Sequence, residues 1–477
     1  MPSIGKLLLV CLALLGATGC AQNPVSGRQD FVMMSEAQEV SVGRSSDADI
    51  RKQYREYEAP ALQDYVDGVG QELAKKSHRA NLKYRFTVLD TPEVNAFALP
   101  GGYVYITRGI LAYLNSEAEL AAVLGHEIGH VTARHGVRQQ SAAQVADIGL
   151  AVASIFVPQL NSGAGQNLTN ILGGALLSGY GREHELEADR LGAEYLARTE
   201  YDPQAMIRVV GVLKNQELFD AEIARQEGRE PRRYHGLFAS HPDNDTRLQQ
   251  VVGESGHLTV ANPKAEYGKF LQHLDGMTFS ESADQGVLRD NKFMHAELGL
   301  ALSFPDGWRV LNLPDKLVAV GPQSEAAMQL TSEAQPPVTP ASLARRLAGN
   351  SDSPVESLDI NGLPAAIVTL PAAVAGVIYL DRKAYLIQGK AKSRAAFAAN
   401  RKDMLETIRS FHTLSAAERK LAKPLVIKLI TARPGDTYAR LARHSPLGKQ
   451  AENYLRLING GYPDGEPKPG QYVKIVE

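Results

Sequence analysis

The run Leu124–His130, which reads LGHEIGH, constrains this chain more than any other feature of its sequence. Residues four apart lie on one face of an α-helix, so a helix here directs His126 and His130 towards the same point. Two imidazoles at this spacing form a zinc-binding pattern, and zinc in hydrolases takes three protein ligands and keeps one open position. Glu127 lies about 100° further round the helix, too far for a third ligand but close enough for a general base. The third ligand therefore has to come from a second element.

The residues around this run favour a helix. Ser116 and Glu119 have the spacing of a capping box, which predicts that the helix begins after Ser116. Cationic residues followed by Gly136 predict its end. Apolar residues at helical spacing predict a stripe that lies away from both histidines: Leu120, Leu124, Ile128 and Val131. The alternative is an amphipathic helix whose two histidines face solvent.

The segment 182–190 offers the missing ligand. Helical periodicity places Glu185 and Asp189 on one face among small and apolar residues, namely Ala188, Gly192 and Leu196. A buried carboxylate is costly unless it is paired or bound to metal, so we expect Glu185 to be the third ligand. Asp189, one turn on, is placed to accept the second ring N–H of a ligating histidine.

The other face of this second helix is predicted to be an ordinary solvated surface. Its residues are Glu183, Glu187, Arg190 and Glu194. The alternative for the whole segment is an acidic helix held by salt bridges, without a metal.

The pattern HExxH followed by Glu185-x-x-x-Asp189 resembles the gluzincin peptidases of the HtpX and BepA type, which also include the CaaX prenyl endopeptidases. The segment 95–102, NAFALPGG, resembles the edge strand beside the cleft in that family. Ser240-His241-Pro242, followed by Arg247, resembles its late Ser-His-Pro motif. The likeness covers roughly residues 30–260, with the motifs in the family's order.

The resemblance implies one zinc ion per chain, held by His126, His130 and Glu185. It implies that Glu127 is the catalytic base. The resemblance also implies that His241 lies over the zinc as a fourth ligand. Our further hypothesis is that His241, when it moves away, stabilises the oxyanion of the tetrahedral intermediate. The alternative is an ordinary histidine in a surface turn.

The resemblance also implies polypeptide substrates. An extended substrate chain would lie antiparallel to Asn95, Ala96 and Phe97 by β-augmentation. This mode of binding fits unfolded or mis-assembled polypeptides better than compact native ones.

The N-terminus predicts export and lipid anchoring. Residues 1–19 combine a short positive region with an apolar core, as signal peptides do. The sequence ATGC at 17–20 resembles a bacterial lipobox, which implies that Cys20 becomes the lipidated first residue. Ala21, in place of aspartate, resembles signals for the outer membrane. An ordinary secretory signal with a coincidental cysteine is the alternative.

At 477 residues the chain is too long for one average domain. We predict a multidomain protein, with a mainly α zincin-like peptidase domain containing a small edge sheet, then a small α+β domain and a βααβ LysM-like module. The boundaries are 1–19 for the signal peptide, 20–50 for an anchor or linker, 51–265 for the peptidase, 266–415 for the α+β domain and 424–477 for the module.

The expected elements of the peptidase domain include a helix at about 58–77 and strands at 84–90 and 103–107. Two apolar stretches within 145–180 predict a helical hairpin over the active-site core, with a membrane-dipping hairpin as the alternative. In the α+β domain, strands are expected at 298–304, 308–311, 366–370, 376–380 and 384–389, and a helix at 393–411.

The tail resembles a LysM module because it opens with PGDT at 434–437 and closes with PGQ at 469–471. Many such modules bind the glycan of peptidoglycan, so peptidoglycan is a candidate partner. A LysM-like fold that serves only protein contact is the alternative.

These features together predict a periplasmic, lipid-anchored zinc endopeptidase that hydrolyses unfolded or mis-assembled envelope proteins, in outer-membrane quality control. One rival is a periplasmic chaperone or assembly factor with limited proteolysis, and another is a peptidoglycan-binding protein. A formal net charge of −2 and the lack of a basic tract argue against a nucleic-acid partner.

Overall fold

The structure is a computed structural model. It describes residues 20–32, 34–139, 181–227, 258–264, 267–282, 284–289, 291–312, 316–322, 325–349 and 352–477. The described residues form two compact units: one extends to Phe279 and also includes Val426–Glu477, and the other is Ser280–Leu425. The signal segment 1–19, the hairpin expected within 145–180 and the motif containing His241 lie outside the described residues.

The first unit is mainly helical. It begins with a two-stranded antiparallel ladder, β1 (Cys20–Gln22) and β2 (Gln29–Phe31). Its helices before the tail are α1 (Glu36–Gln53), α2 (Pro60–Lys75), α3 (Arg108–Leu111), α4 (Glu117–Thr132), α5 (Arg182–Arg198), α6 (Ala205–Glu227) and α7 (Tyr267–Leu274). Within the described residues, no helix combines the length and the apolar content that a bilayer crossing requires.

A small three-stranded sheet packs among these helices. Its strands are β3 (Arg85–Leu89), β4 (Ala96–Leu99) and β5 (Tyr103–Thr107). The order is β3-β5-β4, with β3 parallel and β4 antiparallel to the central β5. The predicted helix at 58–77 and the predicted strands at 84–90 and 103–107 are confirmed. The sheet leaves β4 at an edge.

Helix α1 lies in the segment expected to be a linker, and it carries a buried ion-pair cluster. Glu39 is 1% exposed and accepts from Arg79 Nη1 at 2.7 Å and from Arg134 Nε at 3.0 Å. Arg79 Nη1 also donates to the carbonyl of Val131, in the last turn of α4, at 3.1 Å. Buried charges are tolerated only when they are paired, so this cluster ties α1 to the C-terminal end of α4.

The strands described in the second unit are β6 (Val287–Arg289), β7 (Lys292–His295), β8 (Leu300–Ser303), β9 (Arg309–Asn312), β10 (Leu317–Val320), β11 (Ala326–Ala334), β12 (Val355–Ile360), β13 (Leu363–Leu370), β14 (Ala373–Leu380), β15 (Lys383–Ala391) and β16 (His412–Thr413). Seven of them form one sheet in the order β12-β13-β14-β15-β11-β10-β9. The helices described in the unit are α8 (Pro340–Ala348), α9 (Arg394–Ser410) and α10 (Ala416–Leu421). The strands and the helix predicted here are confirmed.

The two faces of this large sheet are both covered, because successive side chains of a strand point to opposite sides. On β13, Ala366 and Val368 pack with α8, whereas Ala365 and Ile367 pack with α9. Trp308 is 8% exposed and packs on the α9 side.

The tail has the order strand, helix, helix, strand, and its assignment as a LysM-like module stays a prediction. Its elements are β17 (Ile427–Thr431), α11 (Tyr438–Ala442), α12 (Ala451–Ile458) and β18 (Tyr472–Val476), with β17 and β18 antiparallel. The tail belongs to the same compact unit as the zinc-motif helix α4. On α6, Phe219 meets the ring of Tyr454 edge-on, and Glu222 accepts from the hydroxyl of Tyr462 at 3.0 Å.

Lys474 of β18 connects the tail to the segment before α4. Its side chain is fully buried, and Nζ donates to the carbonyls of Ala112 and Leu114, both at 2.7 Å, just before α4. Burial lowers the pKa of Lys474 to about 7, and the nearby carboxylate of Glu119 opposes that shift. The ammonium form is therefore less favourable in the folded chain than in the unfolded one.

The stability that Lys474 contributes should increase with pH. Between about pH 7 and the ordinary lysine pKa of about 10.4, the unfolded chain binds more protons than the folded one, so raising the pH favours folding. Relative to Lys474→Met, the wild-type free energy of unfolding should rise by at most about 1.4 kcal/mol per pH unit in this window. Denaturant titrations between pH 7 and 9 measure the difference.

The matched control is Lys468→Met, since Lys468 is an exposed lysine of the same tail. Its difference from wild type should not change over this pH range. A flat difference for Lys474→Met would mean that Lys474 keeps its proton in both states.

Candidate metal centre

Helix α4 carries the two histidines in a wholly buried position. The side chain of Ser116 accepts from the backbone N–H of Glu119 at 3.2 Å, which fixes the predicted start. His126 and His130 are 5% and 1% exposed, so the alternative of two solvent-facing histidines is wrong. The predicted apolar stripe was too narrow, since every residue of α4 is buried.

The helix ends earlier than expected, at Thr132 rather than near Gly136. Arg134 has φ of 56°, the left-handed conformation that usually falls to glycine after a helix. The ion pair between Arg134 and Glu39 provides a reason for this choice, because a glycine has no side chain to make it.

Helix α5 presents the predicted face to α4. The five residues assigned to that face are all buried: Glu185, Ala188, Asp189, Gly192 and Leu196. The two helices approach so closely that a Cβ on Gly192 would lie 3.0 Å from the backbone nitrogen of His126. A Cβ on Gly129 would lie 3.0 Å from the carbonyl oxygen of Ala188. A side chain at either position would press on the facing backbone, so glycine at both positions favours the close approach of the two helices.

Helical periodicity placed Gly192 on the inward face of α5, but the close crossing and the part of Gly129 in it were not predicted. A signal was present, since Gly125 and Gly129 are four residues apart beside the two histidines. Small residues at this spacing on one helix permit a close helix crossing. In this protein that crossing is what brings α5 to the histidines.

The crossing places three candidate ligand atoms together. His126 Nε2 and His130 Nε2 are 3.0 Å apart, and the carboxylate of Glu185 lies 3.6 Å from the first and 3.5 Å from the second. Zinc–ligand bonds of about 2.0–2.1 Å in a tetrahedron give ligand separations of roughly 3.3 Å. The observed separations bracket this value, so the three side chains fit a zinc ion.

The far side of each histidine ring is also occupied. His126 Nδ1 lies 2.8 Å from Asp189 Oδ1, the carboxylate expected to accept from a ligating histidine. His130 Nδ1 lies 2.8 Å from Nδ1 of His135, a residue that the sequence analysis did not assign to the site. Both rings are thereby oriented by groups outside the candidate ligand set.

Glu187 is not the free surface carboxylate that the helical face predicted. Its Oε2 lies 3.1 Å from His135 Nε2 and 3.2 Å from a guanidinium nitrogen of Arg138. The hydrogen bond from His135 lowers the pKa of Glu187 to about 2. Burial lowers the pKa of His135, and the hydrogen bond to Glu187 opposes that shift. Helical periodicity could not show this, because both partners follow the end of α4.

His184 completes the surroundings of His135. The two rings stack, with centroids 4.3 Å apart and planes inclined by 19°. Burial, followed by the charge of His135, lowers the pKa of His184 to about 4. Glu127, the candidate base, is fully buried within α4.

The candidate substrate strand lies beside this centre. In the described residues β4 pairs with β5 on one side alone, and it packs against α4. The backbone of Asn95 is bonded to Thr107, Ala96 is buried, and the ring of Phe97 stacks on Tyr105 at 4.9 Å. A hollow between this strand and the end of α4 is lined by Ala98, Leu99, Pro100, His130, Val131 and Val137, among others.

Two imidazoles from one helix and a carboxylate from a second helix define a metallohydrolase-type centre of the His₂Glu kind. Residues 60–255 match the model of Peptidase family M48. The centre and this match identify the matched segment as a zinc metallopeptidase domain, in agreement with the predicted enzyme class and cofactor.

Curated relatives agree with this class. The chain is similar to the beta-barrel assembly-enhancing protease of Escherichia coli strain K12, with 31% identity over 42% of this chain and 40% of that protein. The putative beta-barrel assembly-enhancing protease of Vibrio cholerae is 31% identical, over 42% of this chain and 44% of that protein. The mitochondrial metalloendopeptidase OMA1 of Schizosaccharomyces pombe is 30% identical, over 38% of this chain and 54% of that protein. The chain thus spans about two fifths to one half of the length of these relatives.

Gly192→Ala should weaken the centre by separating the two helices. The added methyl would meet Met206 Cε at 2.4 Å and the backbone of His126 at 3.0 Å, so we expect a loss of about 1–3 kcal/mol in unfolding free energy. Zinc affinity should fall in the same variant. Thermal denaturation and chelator competition measure the two effects.

Gly211→Ala is the matched control, on helix α6. A Cβ there meets nothing within 4 Å, so the substitution should stabilise the helix by about 0.5–1 kcal/mol and leave zinc affinity unchanged. A tolerated Gly192→Ala would show that the close crossing is not needed.

Proposed function

We propose that the protein is a zinc-dependent endopeptidase whose metal is held by His126, His130 and Glu185. The observation that carries the proposal is the buried His₂Glu cluster, located inside the segment that matches a peptidase family. Its three donor atoms come from two helices that cross closely, so the packing of α4 and α5 brings the donors together.

The chain's own groups divide the work of peptide hydrolysis. Zinc at this centre supplies a Lewis acid that polarises a carbonyl and acidifies water. Glu127 takes the proton of the attacking water on a carboxylate oxygen and delivers it to the leaving amide nitrogen. Its complete burial keeps bulk water from competing for that proton. Asp189 holds the ring of His126 in one orientation.

The edge strand β4 supports an extended polypeptide as substrate. A substrate chain would add as a further strand along the outer edge of β4, beside Asn95, Ala96 and Phe97, although the backbone of Asn95 itself is already bonded to Thr107. Native proteins keep their backbone groups paired, so unfolded or mis-assembled chains are the substrate class we propose. His241, outside the described residues, stays in this proposal as the group that occupies the open metal position or stabilises the oxyanion.

We place the protein in the periplasm, anchored through Cys20, where it removes mis-assembled envelope proteins. The relatives named as beta-barrel assembly-enhancing proteases favour a role in outer-membrane assembly, either by proteolysis or by an assembly function with limited proteolysis. Binding of the LysM-like tail to peptidoglycan stays a prediction.

Glu127→Gln separates the enzyme from the assembly factor. The variant should retain zinc and the wild-type fold, and lose hydrolysis of an unfolded protein by roughly 10²–10⁴-fold, because the proton acceptor is removed. Cleavage of a reduced, unfolded substrate and zinc stoichiometry are the measurements. Glu183→Gln, an exposed carboxylate of α5, is the control and should leave both unchanged.

The same variant defines the cellular role. If a strain that carries Glu127→Gln accumulates mis-assembled envelope proteins, proteolysis is the function. Full complementation by Glu127→Gln would overturn the proteolytic role and leave the assembly role. Wild-type cleavage by Glu127→Gln would overturn the assignment of the base.

Cys20→Ser tests the anchor. The variant should remain unprocessed by the lipoprotein signal peptidase or appear as a released, soluble form, because serine cannot form the thioether to the lipid. Membrane fractionation and intact-mass analysis measure the outcome. Unchanged fractionation with the outer membrane would contradict the lipid anchor.

A further inference from the structure

We infer that His135 and Glu187 are positioning residues for His130: together they fix the tautomer and ring orientation that aim His130 Nε2 at the metal. This inference rests on the proposed metal site, and it concerns residues that no sequence motif assigned to it. The structure shows a continuous chain of side chains from His130 through His135 to Glu187, with separations of 2.8 Å and 3.1 Å.

The direction of the hydrogen bonds follows from the role of His130. A ring that offers the lone pair of Nε2 to a metal carries its proton on Nδ1. This Nδ1–H faces Nδ1 of His135 at 2.8 Å, so His135 accepts there with a lone pair. His135 then carries its own proton on Nε2.

Glu187 accepts the hydrogen bond from this Nε2–H, which completes the series of hydrogen bonds. Its carboxylate oxygen lies 3.1 Å from His135 Nε2, and a carboxylate accepts from either direction without offering a competing proton. Arg138 contacts the same oxygen at 3.2 Å and keeps the carboxylate in place. These hydrogen bonds leave the rings of His130 and His135 with one allowed tautomer each.

Burial keeps water from replacing His135 as the hydrogen-bond acceptor of His130. His135 is 0% exposed and His130 is 1% exposed, so the two facing nitrogens lie away from bulk water. If His135 were turned or removed, the N–H of His130 would lose this acceptor in a buried position, at a cost comparable to that of an unsatisfied buried donor. The ring of His130 would then be free to reorient away from Glu185.

Helix α5 therefore orients both histidines as well as supplying the third ligand. Asp189 contacts His126 directly, at 2.8 Å, whereas Glu187 acts on His130 through His135. The three carboxylates stand two residues apart, at positions 185, 187 and 189. A displacement of α5 would thus disturb every histidine–metal contact at once.

The test compares two substitutions of His135 in the full-length protein. Asn presents its side-chain oxygen near the place of Nδ1 and can accept from His130, whereas Leu fills similar space and cannot accept. Zinc affinity is measured by competition with a chromophoric chelator. The visible absorption of the cobalt-substituted protein reports ligand geometry, and neither readout needs peptidase activity.

We expect His135→Leu to bind zinc roughly 10- to 100-fold more weakly than wild type and to alter the cobalt spectrum. His135→Asn should recover most of the affinity and the wild-type spectrum. A packing role predicts the reverse order, since Leu packs better than Asn in a buried site. Equal losses in both variants, or wild-type affinity in His135→Leu, would overturn the inference.

A second pair of variants keeps the test decisive if His135→Leu does not fold. Glu187→Ala should weaken zinc binding, whereas Glu183→Ala, an exposed carboxylate of the same helix, should not. Equal zinc affinity in these two variants would overturn the inference. A failure of the proposed function is seen separately, as wild-type hydrolysis by Glu127→Gln, which does not bear on these affinities.

Discussion

The close crossing of α4 and α5 is the constraint on which the metal centre depends. Histidines four apart on one helix can point at one ion, but a third donor must come within about 3–4 Å of both, and only a neighbouring backbone at near-contact distance can bring one there. Gly129 and Gly192 permit that distance, since a Cβ on either would meet the facing backbone at 3.0 Å. The centre thus depends on these two glycines as well as on the three residues that supply its donor atoms.

Buried ionisable side chains hold both ends of α4. At the C-terminal end, Glu39 joins Arg79 and Arg134. Before the N-terminal end, Lys474 donates to two backbone carbonyls from the last strand of the chain. Each group is costly to bury unless its partners are present, so these contacts specify one arrangement. Segments far from the motif in sequence thereby fix the helix that carries it.

Helical periodicity predicted the inward face of α5 correctly, because burial there follows directly from 3.6 residues per turn. It predicted the wrong surroundings for Glu187, since His135 and Arg138 come from beyond α4 and their approach is a tertiary event. It also missed α1, whose composition is polar. A single buried carboxylate, Glu39, decides how that helix packs, and one residue produces no periodic signal.

The sequence could not show that α1 joins the two parts of the candidate site, yet the contacts require it. Glu39 lies at the end of α4, and Gly43, one turn later, lies against Pro100 in the turn after β4, where a Cβ would overlap the carbonyl oxygen at 1.8 Å. One helix therefore packs against both the element that carries the histidines and the strand proposed to receive the substrate. Glu39 and Gly43 are one helical turn apart, so the geometry of α1 helps to set the distance between α4 and β4, in addition to the direct contact of α4 with β4. The packing of α1 would then fix the position of a substrate on β4 relative to the metal. Hydrolysis of one particular peptide bond demands such accurate positioning.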